Sequence, residues 1–185
     1  MTPLLGMMAS GATGSKQSSY ESIASATGTG SSGTITFNSI PSTYSHLQIR
    51  CTSQLSSTSR YAIFRPNNDS STANYTFHST YGDGATVTSD GYITGMDGAY
   101  SVNGTSSADN ASNVGVGVVD IIDYASTTKY KTFRSLTGYD TNAAGIIFLI
   151  SSLWKSTSAI SSLTIVAQGG NFTTGTTFAL YGIKG

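Results

Sequence analysis

His46-Leu47-Gln48-Ile49-Arg50-Cys51 alternates apolar and polar side chains without a break. A period of two is the mark of a β-strand with one buried face. It places Leu47, Ile49 and Cys51 toward a core and His46, Gln48 and Arg50 toward solvent. Working outward, the same short-strand texture recurs along the chain. Residues 21–27 and 34–38, separated by a Gly/Ser turn, read as a first hairpin. Ser39-Ile40-Pro41-Ser42 then breaks the run, because proline has no ladder donor. Residues 61–65 stop at the turn cluster Pro66-Asn67-Asn68-Asp69, and residues 74–80 at Tyr81-Gly82-Asp83-Gly84.

Beyond residue 83 the texture loosens into a loop-like stretch to 113, with Asp-Gly at 83–84, 90–91 and 97–98, Asn-Gly at 103–104, and room for edge strands at 85–88 and 91–94. Val114-Gly-Val-Gly-Val-Val-Asp-Ile-Ile-Asp follows. It is apolar at both parities, which predicts a central strand covered on both faces. Residues 124–128 turn the chain into 129–136, a second hairpin. Residues 145–154 make another two-faced apolar strand, and 162–167 and 177–184 complete the set. About ten strands with regular turns and no helical periodicity predict an all-β fold, an antiparallel β-sandwich of jelly-roll-like character. Phe178-Ala179-Leu180-Tyr181-Gly182-Ile183-Lys184-Gly185 reads as a strand that closes the domain's own sheet.

Composition bounds the function. The chain has 185 residues, with nine Lys and Arg against nine Asp and Glu, and Ser plus Thr make up close to a third of it. That length fits one domain with a core of its own. The zero net charge lacks the basic footprint of a nucleic-acid binder. A hydroxyl-rich, weakly charged surface repels neighbours little, which suits a subunit that packs against others. Cys51 is the single cysteine. No internal disulfide is possible, and its place on a strand predicts a buried, inert thiol.

Residues 1–19 form an N-terminal arm, and 20–185 the sandwich. Leu4, Leu5, Met7 and Met8 cluster at the arm's tip, ahead of a Ser/Gly/Thr tract. One reading is a disordered terminus. The other is a flexible arm whose apolar tip docks on a neighbour. The arm lacks the positive start of a signal peptide, and its apolar run is too short to span a bilayer, so no membrane partner is expected.

No motif carries catalysis. Gly28-Thr29-Gly30-Ser31-Ser32-Gly33 satisfies a dinucleotide-binding spacing, but a strand follows where that motif needs a helix N-terminus. The two histidines, His46 and His78, lack a nucleophile elbow to serve. No cofactor or metal is expected. Asp83, Asp90, Asp97 and Asp109 could in principle surround Ca²⁺, but each suits an ordinary turn and their spacing fits no calcium loop. Tyr75 and Phe77 share one strand face and read as core. Tyr81, Tyr92 and Tyr100 fall in loop-like sequence and are candidate partner-binding residues. Asp120 and Asp123 face Lys129, Lys131 and Arg134 across the second hairpin, which allows either pairing within the hairpin or contact with a neighbouring subunit.

Three blocks carry a resemblance: Ile35-Thr36-Phe37-Asn38-Ser39-Ile40-Pro41-Ser42-Thr43-Tyr44-Ser45-His46-Leu47-Gln48-Ile49-Arg50, Asp120-Ile121-Ile122-Asp123-Tyr124-Ala125-Ser126-Thr127-Thr128-Lys129-Tyr130-Lys131-Thr132, and the last eight residues. In phrasing the chain resembles small β-rich virion proteins of tailed bacteriophages. That resemblance implies a structural or binding role in the phage particle. With the single domain, the near-neutral surface and the apolar arm, the expected function is a capsid decoration (cement) protein. Its partners would be the major capsid protein, other virion proteins and its own copies, with a trimer the expected state. A receptor- or glycan-binding subunit of a tail fibre or appendage is the alternative, and it would use the aromatic loops.

Overall fold

A computed structural model of the protein describes residues 19–185 except 94, 109, 110 and 143. Leu4, Leu5, Met7, Met8 and Asp109 therefore lie outside the described residues. The chain is almost wholly β. In order, the strands are β1 (Tyr20–Thr27), β2 (Thr34–Phe37), β3 (His46–Leu55), β4 (Tyr61–Pro66), β5 (Tyr75–Gly82), β6 (Val87–Tyr92), β7 (Ala99–Asn103), β8 (Thr105–Ser106), β9 (Gly115–Ile122), β10 (Lys131–Asp140), β11 (Gly145–Trp154), β12 (Leu163–Ala167) and β13 (Thr177–Ile183). A 3₁₀ turn at Thr72–Asn74 leads into β5.

Two antiparallel sheets pack into a sandwich. The large one runs β1-β13-β3-β9-β10-β11-β5-β6, with the two-residue β8 alongside β3, and the small one runs β2-β12-β4-β7. The chain changes sheet at each of its first connections, since β1, β3 and β5 belong to the large sheet and β2 and β4 to the small one. This corrects the expected first hairpin. β1 pairs with β13 and β2 with β12, so the Gly28–Gly33 segment is a crossover between sheets. A Cβ on Gly28 would stand 2.2 Å from the Thr173 carbonyl oxygen, so glycine there is required by close approach to another backbone. The second hairpin forms as expected, with Arg134 opposite Asp120 and Leu136 opposite Val118.

The core fills the space between sheets. Leu47, Ile49, Val119, Ile121, Phe133 and Phe178 from the large sheet meet Phe37, Ala62, Phe64, Leu163 and Ile165 from the small one. Phe64 sits edge-on to both Phe133 and Phe178, with centroids 6.4 Å apart in each pair. Tyr75 and Phe77 are buried, as their shared face implied. So is Cys51, whose thiol burial pushes up to about 12.

β9 and β11 are interior strands, flanked by β3 and β10 and by β10 and β5. Only one face of each is covered, however. Their outward residues face solvent, so apolar sequence at both parities marked sheet-centre position without marking burial. The stretch between 83 and 113 is also more ordered than its turn residues imply. It supplies β6 at one edge of the large sheet and β7 at one edge of the small sheet, and Ala99, Ser101, Val102 and Asn103 are buried.

Candidate interaction surfaces

The outer face of the large sheet is built from cross-strand rows, because register aligns one residue from each strand. One row is polar: Gln48, Asp120, Arg134, Ser151 and His78 stand side by side. Its members are linked. Arg50 Nε donates to Gln48 Oε1 at 2.9 Å, Gln48 Nε2 to Asp120 Oδ1 at 2.8 Å, and an Arg134 nitrogen to Asp120 Oδ2 at 2.8 Å. Partial burial alone would raise the Asp120 carboxyl, but the bonds from Gln48 and Arg134 outweigh it and hold the group below the usual carboxylate range. Arg50 also lies 5.2 Å from the ring centroids of both Tyr20 and Tyr181, a cation held between two aromatic faces.

The next two rows are apolar where they cross β9, β10 and β11. Val118, Leu136 and Leu149 align in one, and Val116, Gly138 and Ile147 in the other. Val116, Val118, Leu136, Leu149 and Ile147 are 59%, 40%, 55%, 51% and 60% exposed. Gly138 breaks the second row and floors a shallow hollow of about 620 Å³ walled by Val116, Val118, Leu136 and Ile147. A side chain there could not be added freely, since its Cβ would lie 2.4 Å from the Ile146 carbonyl oxygen. Scattered apolar side chains on a surface need no explanation, but adjacent rows of them on three neighbouring strands make a candidate contact surface. No candidate residue named from sequence lies in these rows. The signal was present, in the two-faced apolar pattern of 114–123 and 145–154, but it pointed equally to burial within the chain and to burial against another.

The charged candidates separate. Arg134 pairs with Asp120, and Lys129 Nζ reaches Asp123 Oδ2 at 2.7 Å, so both pairings close within the hairpin while the cations stay largely exposed. The Lys129 bond holds Asp123 below its ordinary range. Lys131 is different, and its expected role as a surface contact is corrected. β10 alternates, and Lys131 shares the inward parity of Phe133 and Ser135, which buries it completely. Its Nζ donates to the Lys129 carbonyl at 2.7 Å and to those of Thr157 and Ser156 at 3.3 and 3.5 Å. It ties the hairpin to the 156–157 segment.

The three candidate tyrosines all lie on strands, which corrects the loop assignment. Tyr81 continues the inward parity of Tyr75 and Phe77 on β5, and it stacks on Phe148 with centroids 4.8 Å apart. Tyr100, on β7, lies edge-on to Phe77 at 5.0 Å and to Tyr61 at 5.4 Å. Tyr92, at the end of β6, leans on Phe77 at 5.5 Å. Tyr92 and Tyr100 thus share a second hollow, of about 250 Å³, with Tyr61, Phe77, Met96 and Asp90. Sequence reading missed Tyr61 and Met96 there, because only the pairing of β4 with β7 brings Tyr61 beside Tyr100.

Among the described residues the acidic candidates do not converge. Asp83 accepts from the N–H groups of Ala85 and Thr86, Asp90 from that of Gly91, and Asp97 pairs with Arg65. Among the described residues no cluster of three or more His, Cys, Asp or Glu could hold a metal ion. Set against protein-family models, curated proteins and solved structures, the chain has no match.

Proposed function

We propose that this protein is a structural subunit of a tailed-phage particle, of the capsid decoration type. It works by packing against neighbours and performs no catalysis. The observation that carries this reading is the exposed double row Val116, Val118, Leu136, Ile147 and Leu149 at the centre of a solvent-facing sheet. Such a face is stable in water but gains from being covered, at roughly 25 cal/mol per Å² of apolar surface removed. The adjoining polar row carries Asp120 and Arg134 side by side, so a copy of the same face offers partners of either sign. A symmetric trimer with its large sheets turned toward the axis would cover all three faces at once. The resemblance of residues 35–50, 120–132 and 178–185 to phage virion proteins supports the setting. The Leu4, Leu5, Met7 and Met8 tip is proposed to add a second contact, on the major capsid protein or a neighbouring subunit.

Quantitative mass spectrometry of purified particles tests the reading. Hundreds of copies per particle are expected. About a dozen copies would indicate the tail-appendage role instead, and absence from particles would overturn both.

A further inference from the structure

We infer that the hollow lined by Tyr61, Tyr92, Tyr100 and Asp90 is a saccharide site that takes one neutral hexopyranose ring. It opens where the two sheets part company, between β5 and β6 of the large sheet and β4 and β7 of the small one. Its apolar part is aromatic. Phe77 forms the buried floor, Tyr100 stands edge-on to it with 66° between ring planes, and Tyr61 stands edge-on to Tyr100 at 83°. Tyr92 at 54% exposed and Tyr61 at 37% present ring surface to solvent at the rim. A pyranose has an axial C–H face that packs on an aromatic ring and an equatorial belt of hydroxyls that needs hydrogen-bond partners. The volume of about 250 Å³ suits a single ring, not a chain buried end to end.

The polar part fits the same ligand. Asp90 lines the hollow, and among the described residues its carboxylate accepts one protein hydrogen bond, from the Gly91 N–H at 2.7 Å. An ionised carboxylate has about four acceptor positions, so it can take two vicinal sugar hydroxyls as donors. The Tyr100 hydroxyl accepts from Asn103 Nδ2 at 2.7 Å, which leaves its own proton free to donate to a sugar oxygen. Charge then selects the ligand. The described residues lining this hollow include no cation, so a uronic or sialic acid would bring a carboxylate against Asp90 unpaired.

The site is independent of the apolar rows, whose residues face outward while Phe77 and Tyr92 share the inward parity of β5 and β6. A subunit fixed to a particle by its large-sheet face could therefore hold a glycan at this corner.

The test is saturation-transfer and ¹H–¹⁵N shift-mapping NMR on the full chain, with the methyl glycosides of glucose, galactose, mannose and N-acetylglucosamine and with methyl glucuronide. At least one neutral glycoside should bind, with shifts centred on Tyr61, Tyr92 and Tyr100. Tyr92→Ala and Asp90→Asn should each weaken it about tenfold or more, with unchanged circular dichroism, since both side chains are exposed. Methyl glucuronide should not bind. No binding by any neutral glycoside, binding unaffected by both variants, or equal binding of the glucuronide would overturn the assignment. Particle attachment should be the same in both variants, so failure here leaves the structural role standing.

Discussion

The indole of Trp154 donates to Asp69 Oδ2 at 2.7 Å, joining the last residue of β11 to the turn after β4. Asp69 gathers further donors, from the Ser71 N–H and Asn74 Nδ2 at 2.8 Å each, while its own carbonyl accepts from the Tyr75 hydroxyl at 2.6 Å. One short side chain thus fixes a turn, the start of β5 and the end of β11. Partial burial pushes its carboxyl up, but the bonds from Trp154, Ser71 and Asn74 prevail and hold it below the ordinary value.

Asp69→Ala should therefore destabilise the fold by about 2–3 kcal/mol, because it leaves the Trp154 indole without its acceptor. The pH dependence has a definite sign. With the folded pKa depressed, Asp69 contributes fully above the unfolded value of about 3.9, and the contribution is lost as pH falls through the folded value. Urea titrations between pH 6 and pH 3 should show a shallower acid loss for Asp69→Asn than for the wild type.

Leu136→Ser combined with Leu149→Ser should barely change monomer stability, since both side chains are about half exposed and carry little of the core. Association should fall steeply. Sedimentation equilibrium of the wild type is expected to show an oligomer that the double variant loses. A wild type that stays monomeric at high concentration would remove the support these residues give to the packing role.

Lys131 and Lys129 lie two residues apart on one hairpin and should behave as opposites. Lys131→Ala removes a buried ammonium that donates to the carbonyls of residues 129, 156 and 157, and should cost about 2–3 kcal/mol. Lys129→Ala removes an exposed pair and should fall within the scatter of ordinary surface substitutions. Paired thermal melts decide it.

Cys51 should be silent toward a thiol reagent such as DTNB at pH 8 in the native protein. Its thiol stays protonated to about pH 12, and the strand pairing that buries it must open first. Labelling should appear in denaturant with the same midpoint as the loss of β-sheet circular dichroism.

Where one side chain per parity decides the matter, sequence was enough. The 46–51 alternation located a strand and its core face, and Tyr75 with Phe77 located another. Sequence was insufficient where partners are distant in the chain. The first two strands look like a hairpin locally, yet Thr27 pairs with Thr177 and Phe37 with Leu163, and no local signal encodes those partners. Lys131 illustrates a second limit. Lysine reads as surface by default, and only its parity with Phe133 discloses the inward position. The aromatic corner combines both limits, since its four rings come from four strands and meet only through the register of the two sheets.

β13 lies between β1 and β3, with Leu180 opposite Ala24 on one side and Ile49 on the other. Two strands made early therefore wait for one made more than a hundred residues later before their shared ladder can form. Until then β1 has no partner in the large sheet, and one edge of β3 stays open. A nascent or truncated chain would expose that unpaired edge to other chains. Folding should be slow, with hydrogen-exchange protection of the β3 amides that face β13 appearing only once β13 is in place, while those that face β9 are covered independently.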